Sequence, residues 1–570
     1  MLGGCAAIPT QGPVVAGRAA DPVNPVRELI TGPSAGQDPR AVVSGFLVAA
    51  QGAGEDYEVA RSYLTPQAAS TWRPADLTVV HSGATPLPSV LAGGEEVPGG
   101  EEVPTRDPVT ARISVEVVAT VDDRGVYRQA PPGSTQDVEL SLERQGGEWR
   151  IGALDDLALL SESDFAFAFR SYPVYFLDPT ASFLVPDVRW FPNGRSTAAR
   201  LVGELLAGPS QWLAPAVTSA FPAGTALAPP AAVVVQERQG VVELTEPALE
   251  ADGRGRDLMR AQLVATLQPG LGVSRVELRV DGGQLDDRQG GVVSPRQDPD
   301  VIGNPVLVQG DVLVRLENRT LEPVPDLPDL AGLGISHPAV GQSGDAFAVL
   351  AAERSQLRVV APGDEGAGEP VVVGADLTAP SVDWHGWVWT SARSSTGVVS
   401  AVEPGPDGVA REIEATWLAG RSVTALRIAR DGARAVVASA EADGTAHLDL
   451  AGVERDLDGV PTRLVPQEPR AQGLHLVAVE EVTWVDQDEV AVLARPASSD
   501  QDEPRISVVS LSGPVTRPLS LLPGATTVTA ARTVRTALVS TTDGGLFVLA
   551  GSAWVPIPND EGARHPAYPG

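Results

Sequence analysis

Ala379-Pro-Ser-Val-Asp-Trp384, Val423-Thr-Ala-Leu-Arg427 and Val482-Thr-Trp-Val-Asp486 decide how the second half of the chain is read. Each runs into a short turn and then an apolar stretch, and they recur at steps of roughly 40 to 60 residues. Outward from them the same texture continues: Val312 to Leu316, Ala346 to Leu350, Leu357 to Val360, Val388-Trp389, Val436-Val437, Val490 to Leu493, Ile506 to Leu511, Ala537 to Val539 and Leu546 to Leu549 are short apolar runs. Turns such as Asp431-Gly432 and Asp543-Gly544-Gly545 separate them, and no long helical period intervenes. A four-stranded sheet per repeat, packed only on its neighbours around an axis, meets this spacing. The expectation is an all-β propeller of about five or six blades over 301–570, with a tandem of β-sandwiches as the structural alternative.

Upstream the periodicity changes. In a first body over 38–160, Val42, Val43, Phe46 and Leu47 share one helical face within Ala41 to Ala50, and a second short helix is expected from Asp56 to Leu64, ending before Pro66. Ile113, Val115 and Val117, and then Val138, Leu140 and Leu142, alternate with polar residues, as strands with one wet face do. Gly146-Gly147 turns the second run into Trp149 and Ile151. A second body over 168–283 opens with Tyr172-Pro-Val-Tyr-Phe-Leu as a buried strand and continues through Leu184-Val185 to Trp190. Ser196 is placed as the N-cap of a helix bearing Leu201, Val202, Leu205 and Leu206, stopped by Gly208-Pro209. Val233 to Val235, Val242 to Leu244 and Val276 to Val280 read as strands, and Asp257 to Leu267 as a helix. Both bodies are expected to be small α+β domains, and residues 284 to 300 a polar boundary.

Composition narrows the function. The 570 residues carry 42 basic and 73 acidic side chains, a net charge of −31. Nucleic acid is no partner for such a surface, because backbone binding needs clustered cations. Every basic residue is Arg, so a Walker A loop, a Schiff-base lysine and a Ser–Lys pair have no lysine to use. With 59 Gly and 50 Pro, the chain favours many short elements. No apolar run reaches the roughly 18 residues of a membrane span.

The sole cysteine, Cys5, follows Leu2-Gly3-Gly4. It can form no internal disulfide, and Cys-rich metal sites are excluded. Leu-Gly-Gly-Cys has the form of a bacterial lipobox: small residues admit the peptidase, the thiol takes diacylglycerol and the freed amine a further acyl chain. Two or three chains anchor stably, at about 0.8 kcal/mol per buried CH₂. The charged and apolar segments of a signal peptide are missing ahead of it, so the reading expects a start codon set too far downstream or a truncated source. Residues 1–37, rich in Pro, Gly, Ala and Ser after Cys5, read as lipobox and flexible tether.

Candidate chemistry is thin. The six histidines, His81, His337, His385, His447, His475 and His565, form no metal-binding spacing. Gly341-Gln-Ser343-Gly344-Asp345 lacks the spacing of a nucleophile elbow and reads as a turn before a blade strand. Asp383 and His385 flank Trp384 on what a strand would make one face. Glu95-Glu96 and Glu101-Glu102 are solvated loop charges. Trp190, Trp384, Trp387, Trp389, Trp484 and Trp554 are core or ring-packing residues, with a carbohydrate platform as the functional alternative. No catalytic, metal or cofactor residue is assigned.

At this point the chain resembles the LpqB lipoprotein family of actinobacteria. Cys5-Ala-Ala-Ile-Pro9 fits the mature start. Tyr175-Phe-Leu-Asp178, Leu184-Val185-Pro186, Leu205-Leu-Ala-Gly-Pro209, Phe221-Pro-Ala-Gly-Thr225 and Val276 to Gly282 are similar to a GerMN domain. The resemblance implies a non-enzymatic lipoprotein, held through Cys5 on the extracytoplasmic face of the cell membrane and acting as accessory or regulatory partner of an envelope sensor histidine kinase. A cell-wall glycan binder or glycan-processing enzyme is the alternative, and two converging carboxylates in a cleft would favour it.

Overall fold

The computed structural model describes residues 31–52, 57–92, 95–97, 109–285, 294–405, 408–467, 476–496, 503–514, 516–559 and 561–570. Cys5, the tether to residue 30, Glu101-Glu102 and His475 lie outside the described residues.

The N-terminal region lays helix Pro39–Ala49 on a sheet organised around one long strand, Val109–Asp122. The Asp38 carboxylate caps the helix by accepting from the Ala41 amide at 2.8 Å. Val42, Val43, Phe46 and Leu47 are all buried, as their spacing requires. The long strand alternates strictly, with Val109, Ala111, Ile113, Val115 and Val117 inward, and pairs with Leu77–His81, Ser89–Ala92 and Thr135–Gln145. The second helix departs from expectation. It shrinks to Glu58–Arg61, and a separate helix, Pro66–Thr71, begins at the proline that should have followed a helix end. Proline suits a first helical position because the missing N–H would be unpaired there, and Thr65 supplies the cap to Ala68.

The next region opens with the hairpin Phe169–Leu177 and Phe183–Pro192, paired from Leu177↔Leu184 to Phe169↔Pro192. Asp178 shapes its connection by accepting from the Ser182 and Phe183 amides at 2.7 and 2.6 Å. Helix Thr197–Ala207 buries Leu201, Val202 and Leu205 and stops at Gly208, whose φ of 93° suits glycine. Ser196 makes no side-chain cap; Thr197 bonds back instead, accepting from the Gly194 amide at 2.9 Å and donating to the Pro192 carbonyl at 3.0 Å. Helix Gly253–Leu271, capped by Asp252, is broken at Pro269-Gly270. It connects the parallel strands Gln239–Leu244 and Arg275–Val280, which Val233–Gln236 and Gly283–Gln284 flank. The boundary segment is structured in part, since Arg296–Gln297 adds a short parallel strand beside Phe183-Leu184.

After residue 305 the described chain is all-β apart from short 3-10 turns such as Thr416–Leu418 and Val534–Thr536. It forms antiparallel four-stranded meanders in sequence order, two of them joined through a single parallel pairing, Glu414↔Arg463. Arg564–Ala567, from the end of the chain, pairs with Val306–Gln309 at the start and so closes the ring. The three stretches that opened the sequence reading belong to first strands of successive meanders, Ser381–Val382, Ser422–Ile428 and Leu476–Trp484. This is a propeller-type fold.

Candidate functional site

Two places combine buried polar groups with contacts between distant parts of the chain: the channel at the propeller centre and the seam between the propeller and the upstream regions.

The channel is lined by the innermost strands, which bring His337, Ser381, Arg427, Glu481, Thr527 and His565 to a cavity of about 70 Å³. That is room for a few waters and not for a sugar ring. Glu481 is buried, its pKa raised by burial, and pairs with Arg427 at 2.6 Å. Arg427 also donates to the Ala379 carbonyl at 2.6 Å and accepts the Trp484 indole N–H on its own carbonyl at 3.1 Å, tying three successive inner strands together. Among the described lining residues Glu481 is the one acidic side chain.

The His337 and His565 ring centroids lie 3.9 Å apart in this channel, the planes tilted by 31°. Each is followed by Pro-Ala, and each sits at positive φ, 46° and 55°, where neither β-strand nor α-helix lies. The pairing registers of both inner strands shift there. Burial, the neighbouring ring and the Arg354 and Arg427 guanidiniums hold His337 well below its ordinary range; burial with Arg564 and Arg354 brings His565 to about 4. The repeated His-Pro-Ala at 337–339 and 565–567 was a readable signal that a search for metal spacings passes over.

The seam is built differently. One hydrophobic core runs without interruption from Val174, Phe176, Leu205 and Leu213 to Ala425, Val436, Val482 and Val490 of the propeller. Trp190 joins all three regions. Its ring lies 5.2 Å from Phe165 and 5.8 Å from Tyr127, its indole N–H donates to the Ser512 carbonyl at 2.6 Å, and its backbone N–H to the Gly125 carbonyl at 2.7 Å. Glycine is required opposite it: a Cβ on Gly513 would fall 2.5 Å from the Trp190 ring. Likewise a Cβ on Gly452 would lie 2.5 Å from the Trp212 carbonyl oxygen. The Tyr175 hydroxyl accepts from Gln297 at 2.6 Å and donates to Gln487 at 2.7 Å; burial pushes its pKa up to about 12. Beside Gln487, Asp488 is half-buried and its pKa is raised to about 6 by burial, although Ser510 and Ser512 donate to it.

The remaining candidates resolve into structure. Asp383 and His385 occupy a turn, not a strand face. Asp383 accepts from the His385 and Trp387 amides and the Trp389 indole and pairs with Arg455, so it holds its meander together. Ser343 sits in the turn before strand Phe347–Ala351 and donates to Asp345. Trp387, Trp389 and Trp484 are buried, Trp384 meets Phe183 edge-on at 4.9 Å, and Trp554 donates to the Ser520 carbonyl. Glu95–Glu96 is an exposed two-residue strand. Among the described residues no three His, Cys, Asp or Glu side chains are grouped to hold a metal, and no helix is long and apolar enough to cross a membrane.

Comparison with known proteins gives three successive family matches: the lipoprotein LpqB N-terminal domain over residues 32–166, the sporulation and spore germination family over 173–286, and the lipoprotein LpqB beta-propeller domain over 311–569. Lipoprotein LpqB of Thermobifida fusca is 30% identical, the match covering 90% of this chain and 88% of the relative. That of Streptomyces coelicolor is 29% identical over 100% and 96%, and that of Mycolicibacterium smegmatis 25% over 90% and 87%. With three family matches in succession along the chain and a relative 30% identical over 88% of its length, the chain belongs to the LpqB lipoprotein family.

Proposed function

We propose that this protein is an extracytoplasmic lipoprotein, anchored in the cell membrane by acyl chains on Cys5, that serves as accessory or regulatory partner of an envelope sensor histidine kinase. Residues 1–37 act as lipobox and tether, 38–160 and 168–283 as two α+β domains, and 301–570 as a propeller of about five or six blades. The kinase link is an inference from the family. The observation that carries a binding role is the continuous core across the seam, with Trp190 fastened to all three regions. Domains joined by large apolar interfaces keep a fixed relation, so the molecule offers one extended rigid surface to a partner.

The test is an in-cell photo-crosslinking pull-down of the membrane-directed chain, read by mass spectrometry. Amine-reactive reagents are unsuitable because the chain has no lysine. Recovery of a sensor kinase in near-stoichiometric yield supports the reading; recovery of peptidoglycan or polysaccharide fragments alone overturns it. Independently, fatty-acid labelling should vanish in Cys5→Ser, and its persistence would sink the anchor.

A further inference from the structure

Open sheet edges invite pairing with other chains, and proteins blunt them with charge, proline or brevity. The outermost propeller strands follow that rule. Thr320–Pro323, Ala410–Glu414, Pro461–Pro466, Thr516–Pro518 and Ala553–Ile557 each carry a charge, a proline or both, and Val372–Val373 is two residues long. The edge strand Val233–Gln236 does not. It reads Val-Val-Val-Gln, without charge or proline, with Val234 48% and Val235 36% exposed.

Its hydrogen-bonding groups are set by the hairpin. Val233↔Val242 through Gln236↔Gln239 pair across a two-residue turn, Glu237-Arg238, with φ of 48° and 63°. In such a turn the closing pair is hydrogen-bonded, so Gln236 and Val234 face inward to the neighbouring strand. The N–H and C=O groups of Val233 and Val235 therefore point out of the sheet, about 7 Å apart along it, as a partner strand requires. The chain's charge of −31 opposes a second copy there and attracts cations.

We propose that Val233–Gln236 is a docking edge that takes an extended, cationic polypeptide segment of a partner protein as an added strand. The inference rests on the accessory-partner reading and specifies its contact. The probe is a fluorescein-labelled peptide, Arg-Val-Arg-Val-Thr-Val-Arg, titrated with the full chain by anisotropy. Saturable binding is expected, weakened at least tenfold by N-methylation of alternate peptide amides and by Val235→Pro, which removes one outward N–H. Val234→Lys, which leaves the backbone intact and repels the probe, should weaken it comparably. No saturation at millimolar chain, or equal affinity for the N-methylated peptide, overturns the proposal. A dimer in sedimentation that Val235→Pro dissolves would also overturn it, by making a second copy the occupant. Peptide binding without kinase recovery would sink the kinase link alone, and kinase recovery without peptide binding would sink the edge alone.

Discussion

The seam and the channel solve the same problem, burying polar groups among distant strands, in opposite ways. At the seam large aromatic rings press on glycines, and the polar groups find close partners: Trp190 on Ser512, Tyr175 on Gln297 and Gln487. In the channel the contacts are an ion pair and short polar side chains around a small cavity, with two histidine rings at positive φ 3.9 Å apart. Tight shape complementarity is placed where domains meet, and the ring centre is left narrow. The contrast teaches that this molecule is organised to fix the relation of its parts more than to admit a ligand along its axis.

The largest expected effect breaks the seam at its hub. Trp190→Ala removes a ring buried in the core of the N-terminal region and leaves the Ser512 carbonyl without its indole donor, so a loss of about 3–5 kcal/mol is expected. Limited proteolysis should then cut between the N-terminal region and the rest before either is degraded. If cutting stays concerted with global unfolding, the seam is not the joint argued for here.

Next in size is a charge. Asp488 titrates near 6 in the fold against about 4 in an unfolded chain, so the stability it contributes is full below pH 4 and is lost as pH rises to 6. The difference corresponds to about 3 kcal/mol. Asp488→Asn should therefore gain on the parent chain by up to that amount between pH 4 and 6, measured by denaturant melts. A gap independent of pH would show that Asp488 is not the titrating group.

Gly452→Ala is a smaller change with a local reading, about 1–3 kcal/mol from forcing a methyl against the Trp212 carbonyl. Thr527→Ala, in the channel, should cost less, since its hydroxyl makes one bond, with Ser540, at the edge of a small cavity. Reversal of that order would erase the distinction between the two regions.

These regions differed equally in how they could be read. The propeller's strands were legible because alternation and Asp/Gly turns are local signals, and the GerMN-type motifs because Asp178 and Gly208 each perform one local task, closing a hairpin and ending a helix. Caps were less so: Ser196 stands at the N-cap position as expected, but its side chain makes no cap bond, and the neighbouring Thr197 hydroxyl ties the helix start back to Gly194 and Pro192. Pro66 signals a helix end or a helix start, and only the Thr65 cap decides. The seam was invisible, because the propeller contacts Trp190–Ser512, Trp190–Gly513 and Trp212–Gly452 each join residues hundreds of positions apart. The candidate anchor, Cys5, was legible only as four residues and a resemblance.

The smallest effect sharpens the comparison by its sign. His565 is held near 4, below the ordinary histidine value of about 6.5, so its contribution is full above pH 6.5 and is lost as pH falls toward 4. That is opposite to Asp488 within the same window. Partial exposure to the channel screens the effect, so roughly 1–2 kcal/mol is expected rather than the full shift. His565→Asn tolerates positive φ and removes the titration, and should flatten the acid limb of the stability curve. In Asp488→Asn the acid limb should steepen instead, since the histidines then act without an opposing carboxyl. The double variant should lose the Asp488 and His565 parts of the pH dependence between 4 and 6 and keep the acid loss set by His337; if its profile is the parent's unchanged, Asp488 and His565 do not set the acid response.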